Sequence, residues 1–137
     1  MKKFYLYSIL IANLVFSQQT ATRLGSDLEG SAQEVFFGYS VALNSAGNIL
    51  AVSSPGADVP AANAGRVDIF QYASNSNQWV TSAAFTKGRA NEYFGTSLDI
   101  TGDGTSVVVG GEEYNNGAGS VSVFENSGGS WGQKGST

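Results

Sequence analysis

The side chains of this sequence that can move protons or hold a cation are carboxylates: Asp58, Asp68, Glu92, Asp99 and Glu112 are spread along the chain, with Glu113 directly beside Glu112. Two such groups flanking a glycosidic bond suffice for glycoside hydrolysis. None of these residues stands in a sequence context that marks it for that work. Glu112-Glu113, followed by Tyr114, is also a candidate acidic patch for a cationic partner or a metal. Neighbouring residues of an extended chain point to opposite faces, so a solvated loop is the simpler reading. The sequence contains no His and no Cys, which excludes Ser-His-Asp and Cys-His catalysis within it, and also disulfides and a lipid-modified cysteine. Its glycines are scattered, and none opens a helix as a phosphate-cradling loop does. Trp79 and Trp131 are rings able to stack on a sugar. Because they recur at one point of a repeat, blade packing is the first reading of both.

The elements that would position these residues come as that repeat. Phe37-Gly38 returns as Phe94-Gly95, an offset of 94 − 37 = 57 residues, and a whole pattern travels with it. Tyr39, Val41 and Leu43 alternate with polar or small residues, as do Leu98 and Ile100, which predicts a strand with one inward face. Ala46-Gly47-Asn48 and Asp103-Gly104-Thr105 supply hairpin turns. The next strand is apolar throughout, Ile49 to Val52 and Val107 to Val109, as for a strand covered on both faces. After a longer loop (53–64 and 110–118) come the Gly-led strands Gly65 to Phe70 and Gly119 to Phe124, then turns at 74–77 and 126–129 and a fourth strand opened by Trp79 or Trp131. Four antiparallel strands per unit predict an all-β chain of two four-stranded propeller blades in an incomplete ring. Helical periodicity is absent after the leader.

Lys2-Lys3, an apolar run from Phe4 to Phe16, and Ser17-Gln18 have the layout of a secretory signal peptide over residues 1–17. The run is too short for the roughly 20 apolar residues of a membrane span, so no span is expected after cleavage. Without the leader the charge is 5 − 11 = −6, a sign that disfavours nucleic acid. "RLGSD" at 23–27 resembles "QKGST" at 133–137. Residues 18–36 therefore read as the last strand of a preceding blade with its linker, 37–93 as a first repeat, and 94–137 as a second that ends in its own last strand. Two units fall short of the 4 to 8 blades of a ring, roughly 220 to 440 residues. The expectation is a fragment of a longer protein, or a chain that associates with other copies.

At Phe-Gly, at "ILAVSSPGAD" and at the Gly-Xaa-Val-Xaa-Ile/Val-Phe strands, nearly all of residues 23–137 resembles the FG-GAP repeats of integrin-alpha-type propellers, in the divergent form of secreted bacterial proteins. Ser53-Ser54-Pro55 stands where that family has Gly-Ala-Pro, and Gly110-Gly111-Glu112 departs further. The resemblance implies a seven-bladed ring serving extracellular adhesion or protein interaction. Phe37 and Phe94 would fill the gap between blades, and Gly38 and Gly95 would let the backbone approach. Many such repeats hold calcium on the hairpin loop, and Asp99, Thr101 and Asp103 match its first half. Val107 occupies the place of the late carboxylate, and the other copy offers Ala42, Asn44 and Ala46. Plain hairpin chemistry is accordingly preferred over calcium, and no other cofactor is implied. The expected protein is secreted or on the cell surface and not an enzyme. Its expected partner is an unidentified extracellular protein or glycan, beside further blades or other copies. The rival readings are the scaffold of an extracellular polysaccharide-acting enzyme and a truncated fragment without independent function.

Overall fold

The structure is a computed structural model that describes residues 21–31 and 36–135. The expected leader, and residues 18–20 and 32–35 of the expected linker, lie outside these. Eight strands, β1 (Val41–Leu43), β2 (Ile49–Ser54), β3 (Arg66–Ala73), β4 (Gln78–Thr86), β5 (Phe94–Ile100), β6 (Ser106–Gly111), β7 (Ser120–Ser127) and β8 (Ser130–Lys134), form two four-stranded antiparallel sheets. Each sheet is a meander, ordered β1-β2-β3-β4 and β5-β6-β7-β8, because every connection is a turn or a loop between sequential neighbours. A single helical turn, α1 (Tyr114–Gly117), sits in the second long loop. The two sheets do not close a ring.

Register makes the sheets equivalent residue by residue. Val41 pairs with Val52 and Leu98 with Val109, so the 57-residue offset runs through the first two strands of each sheet. Phe70 lies opposite Leu50 and Phe124 opposite Val107, which reduces the offset to 124 − 70 = 54 in the third strand. The three residues are lost in the long loop, 55–65 against 112–119. Both long loops therefore leave the same end of their sheets. The strands β2 and β6 reach Ser54 and Gly111, each two residues into what the sequence reads as loop.

The core lies between the sheets. Ala51, Val67, Ile69 and Phe85 come from the first, and Phe94, Val107, Val109 and Phe124 from the second. Alternation decides which side chains take part. The second sheet contributes the face bearing Leu98, Val109 and Phe124, whereas the first contributes its opposite face. In the first sheet the counterparts of Leu98, Ile100, Val107, Val109 and Phe124 are Val41, Leu43, Leu50, Val52 and Phe70, turned away from the core. The counterparts of Ala51, Val67 and Ile69 in the second sheet are Val108, Val121 and Val123, also turned away. The joint is thus head-to-tail, front of one sheet on back of the other.

That arrangement corrects part of the strand reading. Leu98 and Ile100 pack against the core, but Val41 and Leu43 are 60% and 54% exposed, because no sheet stands in front of them. The apolar run of β6 is covered on one face only, leaving Val108 exposed. Residues 21–31, expected to include a last strand, form none. They run along the first sheet instead: Trp79 Nε1 donates to the Leu24 carbonyl at 3.1 Å, and Gly30 lies so near Phe37 that a Cβ on it would come 2.5 Å from the Phe37 Cβ.

Candidate functional site

The most specific arrangement in the molecule is the joint itself. Residues 62–64 of the first long loop accept hydrogen bonds from the segment entering the second sheet: Asn91 N–H donates to Ala62 O at 2.8 Å, Tyr93 N–H to Asn63 O at 3.0 Å and Phe94 N–H to Ala64 O at 3.2 Å. Gly65 and Phe94 form a parallel bridge. Contact there is so close that a Cβ on Gly65 would lie 2.2 Å from the Phe94 carbonyl oxygen, and φ at Gly65 is +85°. Gly95, at φ +102°, would bring a Cβ 2.8 Å from that of Ser53. Only glycine satisfies both constraints at once. Phe94 is fully buried behind this clasp, with Lys87 Nζ 5.7 Å from its ring centre. Its edge meets Phe124 at 6.0 Å, and Phe124 stacks on Phe85 of the first sheet at 4.0 Å.

The counterparts of these residues lack a neighbour. Phe37 is half-buried and meets Phe70 edge-on at 6.3 Å, repeating the Phe94–Phe124 geometry within its own sheet. No atom lies within 4 Å of a Cβ built on Gly38. Gly119, the counterpart of Gly65, keeps φ at +75° with nothing nearer than 3.5 Å. Of the two tryptophans, Trp131 packs on Phe85 at 5.8 Å, while Trp79 packs on Tyr72 at 5.4 Å.

The hairpin singled out for calcium is closed by its own side chains. Asp103 Oδ1 accepts from Thr101 Oγ1 at 2.6 Å, from Thr105 N–H at 3.0 Å and from Thr105 Oγ1 at 2.9 Å. The Thr101 hydroxyl chiefly, then the Thr105 backbone, holds the Asp103 carboxyl below its ordinary value. Thr101 Oγ1 also accepts from Ser106 N–H at 3.0 Å. In the first sheet Asn44 does the equivalent work, its Oδ1 accepting from Ile49 N–H at 2.9 Å and from Asn48 N–H at 3.0 Å. Asp99 accepts from its own neighbour, Ile100 N–H, at 2.8 Å. Among the described residues no three of His, Cys, Asp and Glu gather as a metal-binding group.

Asp68, Glu92 and Asp58 are also engaged locally. Asp68 is buried, and both its oxygens accept from Arg66 Nε at 2.8 and 2.9 Å, with Nη2 at 2.6 Å. That hydrogen bonding raises the Arg66 pKa above its ordinary value. The pair floors a cleft between the first long loop and Phe37, walled by Phe70 and Val59, where the Ser54 hydroxyl is buried without a partner. Glu92 is buried and accepts from Ser120 Oγ at 3.3 Å. Asp58 Oδ1 accepts from Asn63 N–H at 2.8 Å, shaping the loop that clasps Phe94. Glu112 and Glu113 are exposed.

Sequence reasoning did not single out Phe85, Asn44 or the aromatic residue before Phe-Gly. Phe36 and Tyr93 both take the left-handed conformation, φ +53° and +49°, which is uncommon for bulky residues. The available signal was that both repeats carry an aromatic residue there. No protein-family model matches this chain, and no curated protein matches it.

Proposed function

We propose that this chain is a segment of a secreted or cell-surface β-propeller of the FG-GAP type, serving adhesion or protein interaction without catalysis. Each sheet is then a blade of a ring that other blades complete. The observation that carries this reading is the head-to-tail joint between sheets of equal register, which uses opposite faces of one repeated unit. Heterologous contacts of this kind build rings when the rotation closes. The long loops 55–65 and 112–119 leave the same end of their sheets and so share one rim. Such loops, held by a rigid scaffold, are where binding residues collect.

Immobilised chain, probed with arrays of extracellular proteins and glycans, tests the reading. Saturable binding is expected, with bound glycan recovered intact. Replacing Glu112 and Glu113 by Ala is expected to weaken it, because these are exposed charges on the rim. Cleavage of a bound glycan would overturn the non-catalytic part, and absence of binding across both arrays would overturn the adhesive part.

A further inference from the structure

We infer that the two outer faces of this sheet pair are the two halves of a second joint, so that copies of the chain associate head-to-tail, the second sheet of one on the first sheet of the next. This goes beyond the adhesive reading and does not depend on it. The argument is the continuity of an interface already present within the chain. Inside the chain, β5 makes its contacts on β2, β1 and β3 of the preceding sheet. Its counterpart β1 carries Val41 and Leu43 bare. On the far side, the positions that receive β5 are repeated as Val108, Val121 and Val123, and Val121 is 69% exposed. Single exposed apolar residues are ordinary, but two apolar faces related by the internal repeat are not.

The described residues on both sides repeat the geometry of the backbone clasp as well. The turn entering the first sheet closes with Tyr39 N–H donating to Phe36 O at 3.1 Å, as Thr96 N–H does to Tyr93 O at 3.2 Å. Phe36 already holds the left-handed conformation of Tyr93. At the other end Ala118-Gly119 repeats Ala64-Gly65, with Gly119 in the same conformation and no atom nearer than 3.5 Å where Phe94 approaches Gly65. Phe36-Phe37 of one copy therefore fits Ala118-Gly119 of the next. Among the described residues of these faces, Arg66 is held by Asp68 and Lys134 by Glu125. Residues 21–31 cover the part of the first sheet beside Trp79, Phe37 and Phe70, and leave Tyr39, Val41 and Leu43 exposed.

Sedimentation velocity of the full chain over a wide concentration range is the test. Wild type is expected to form larger species as concentration rises, whether closed rings or an open series. Val41→Lys spoils one half of the joint and Val121→Lys the other, so each variant alone is expected to stay monomeric. Mixed, they retain one sound half each and are expected to pair one to one. Both substitutions lie on exposed positions, and unchanged far-UV circular dichroism confirms folding; Leu43→Lys and Val108→Lys serve as a second pair. A monomeric wild type, or variants that fail to pair on mixing, would overturn the inference while leaving the binding experiment above unaffected.

Discussion

Phe94 and Phe37 are one residue of the repeat in two surroundings, and the difference sets what each contributes. Phe94 is enclosed by the clasp, Phe124 and Lys87, so Phe94→Ala removes a full ring from a packed core and is expected to cost ~3–5 kcal/mol. Phe37 meets Phe70 and the backbone at Gly30 but stays only half-buried, so Phe37→Ala is expected to cost only about 1–2 kcal/mol. Urea unfolding of the two variants measures the gap, and equal losses would contradict the assignment. The glycines make the same comparison through the backbone. Gly65→Ala drives a Cβ into Phe94 and is expected to disrupt folding, whereas Gly119→Ala makes only ordinary contacts at 3.5 Å or more and carries the left-handed penalty of about 1–2 kcal/mol. Thermal melting of both variants separates contact from conformation. Sequence alone marks Phe-Gly as a packing pair, because it recurs in register. It does not mark the asymmetry, which depends on a neighbour being present.

At the scale of the element, the β5–β6 hairpin has the residue types of a cation loop and the hydrogen bonds of a turn. Asp103 accepts from Thr101 and Thr105, and its folded pKa lies below the ordinary 3.8. A depressed carboxylate pKa contributes stability that is complete above the unfolded value and is lost as pH falls through the folded one. Asp103→Ala is therefore expected to lower the Tm at neutral pH, and the difference from wild type is expected to shrink below about pH 3.8. Thermal denaturation at several pH values checks this, and a difference that grew with acid would refute it. Calcium is expected to leave the Tm unchanged at millimolar concentration, since a ligand bound only by the folded chain must raise it. A rise abolished by Asp103→Ala would establish calcium there. The hairpin itself was legible from Asp103-Gly104-Thr105. What closes it was not, because Thr101 and Asn44 do equivalent work with different chemistry, and a spacing rule cannot equate a hydroxyl with an amide.

Across the whole molecule, the period was the legible quantity. It gave four strands per unit, their order and the positions of the long loops, because alternation and turn residues are local signals. The face each strand buries was legible only where both sheets were present: Leu98 is covered and Val41 is bare, though the sequence around them has one pattern. The head-to-tail joint implies a definite response to ionic strength. The chain carries a formal net charge of −4, so copies repel one another, while the faces proposed to meet are mainly apolar. Raising salt from about 0.01 M to about 0.15 M shortens the Debye length from about 30 Å to about 8 Å, which weakens the repulsion and leaves apolar contact in place. Association is therefore expected to strengthen over that range, seen as a shift to larger species at fixed protein concentration. Contact through surface ion pairs would respond in the opposite sense, with salt dissolving it. The direction of the shift thus distinguishes a joint of repeated sheets from a chance electrostatic encounter.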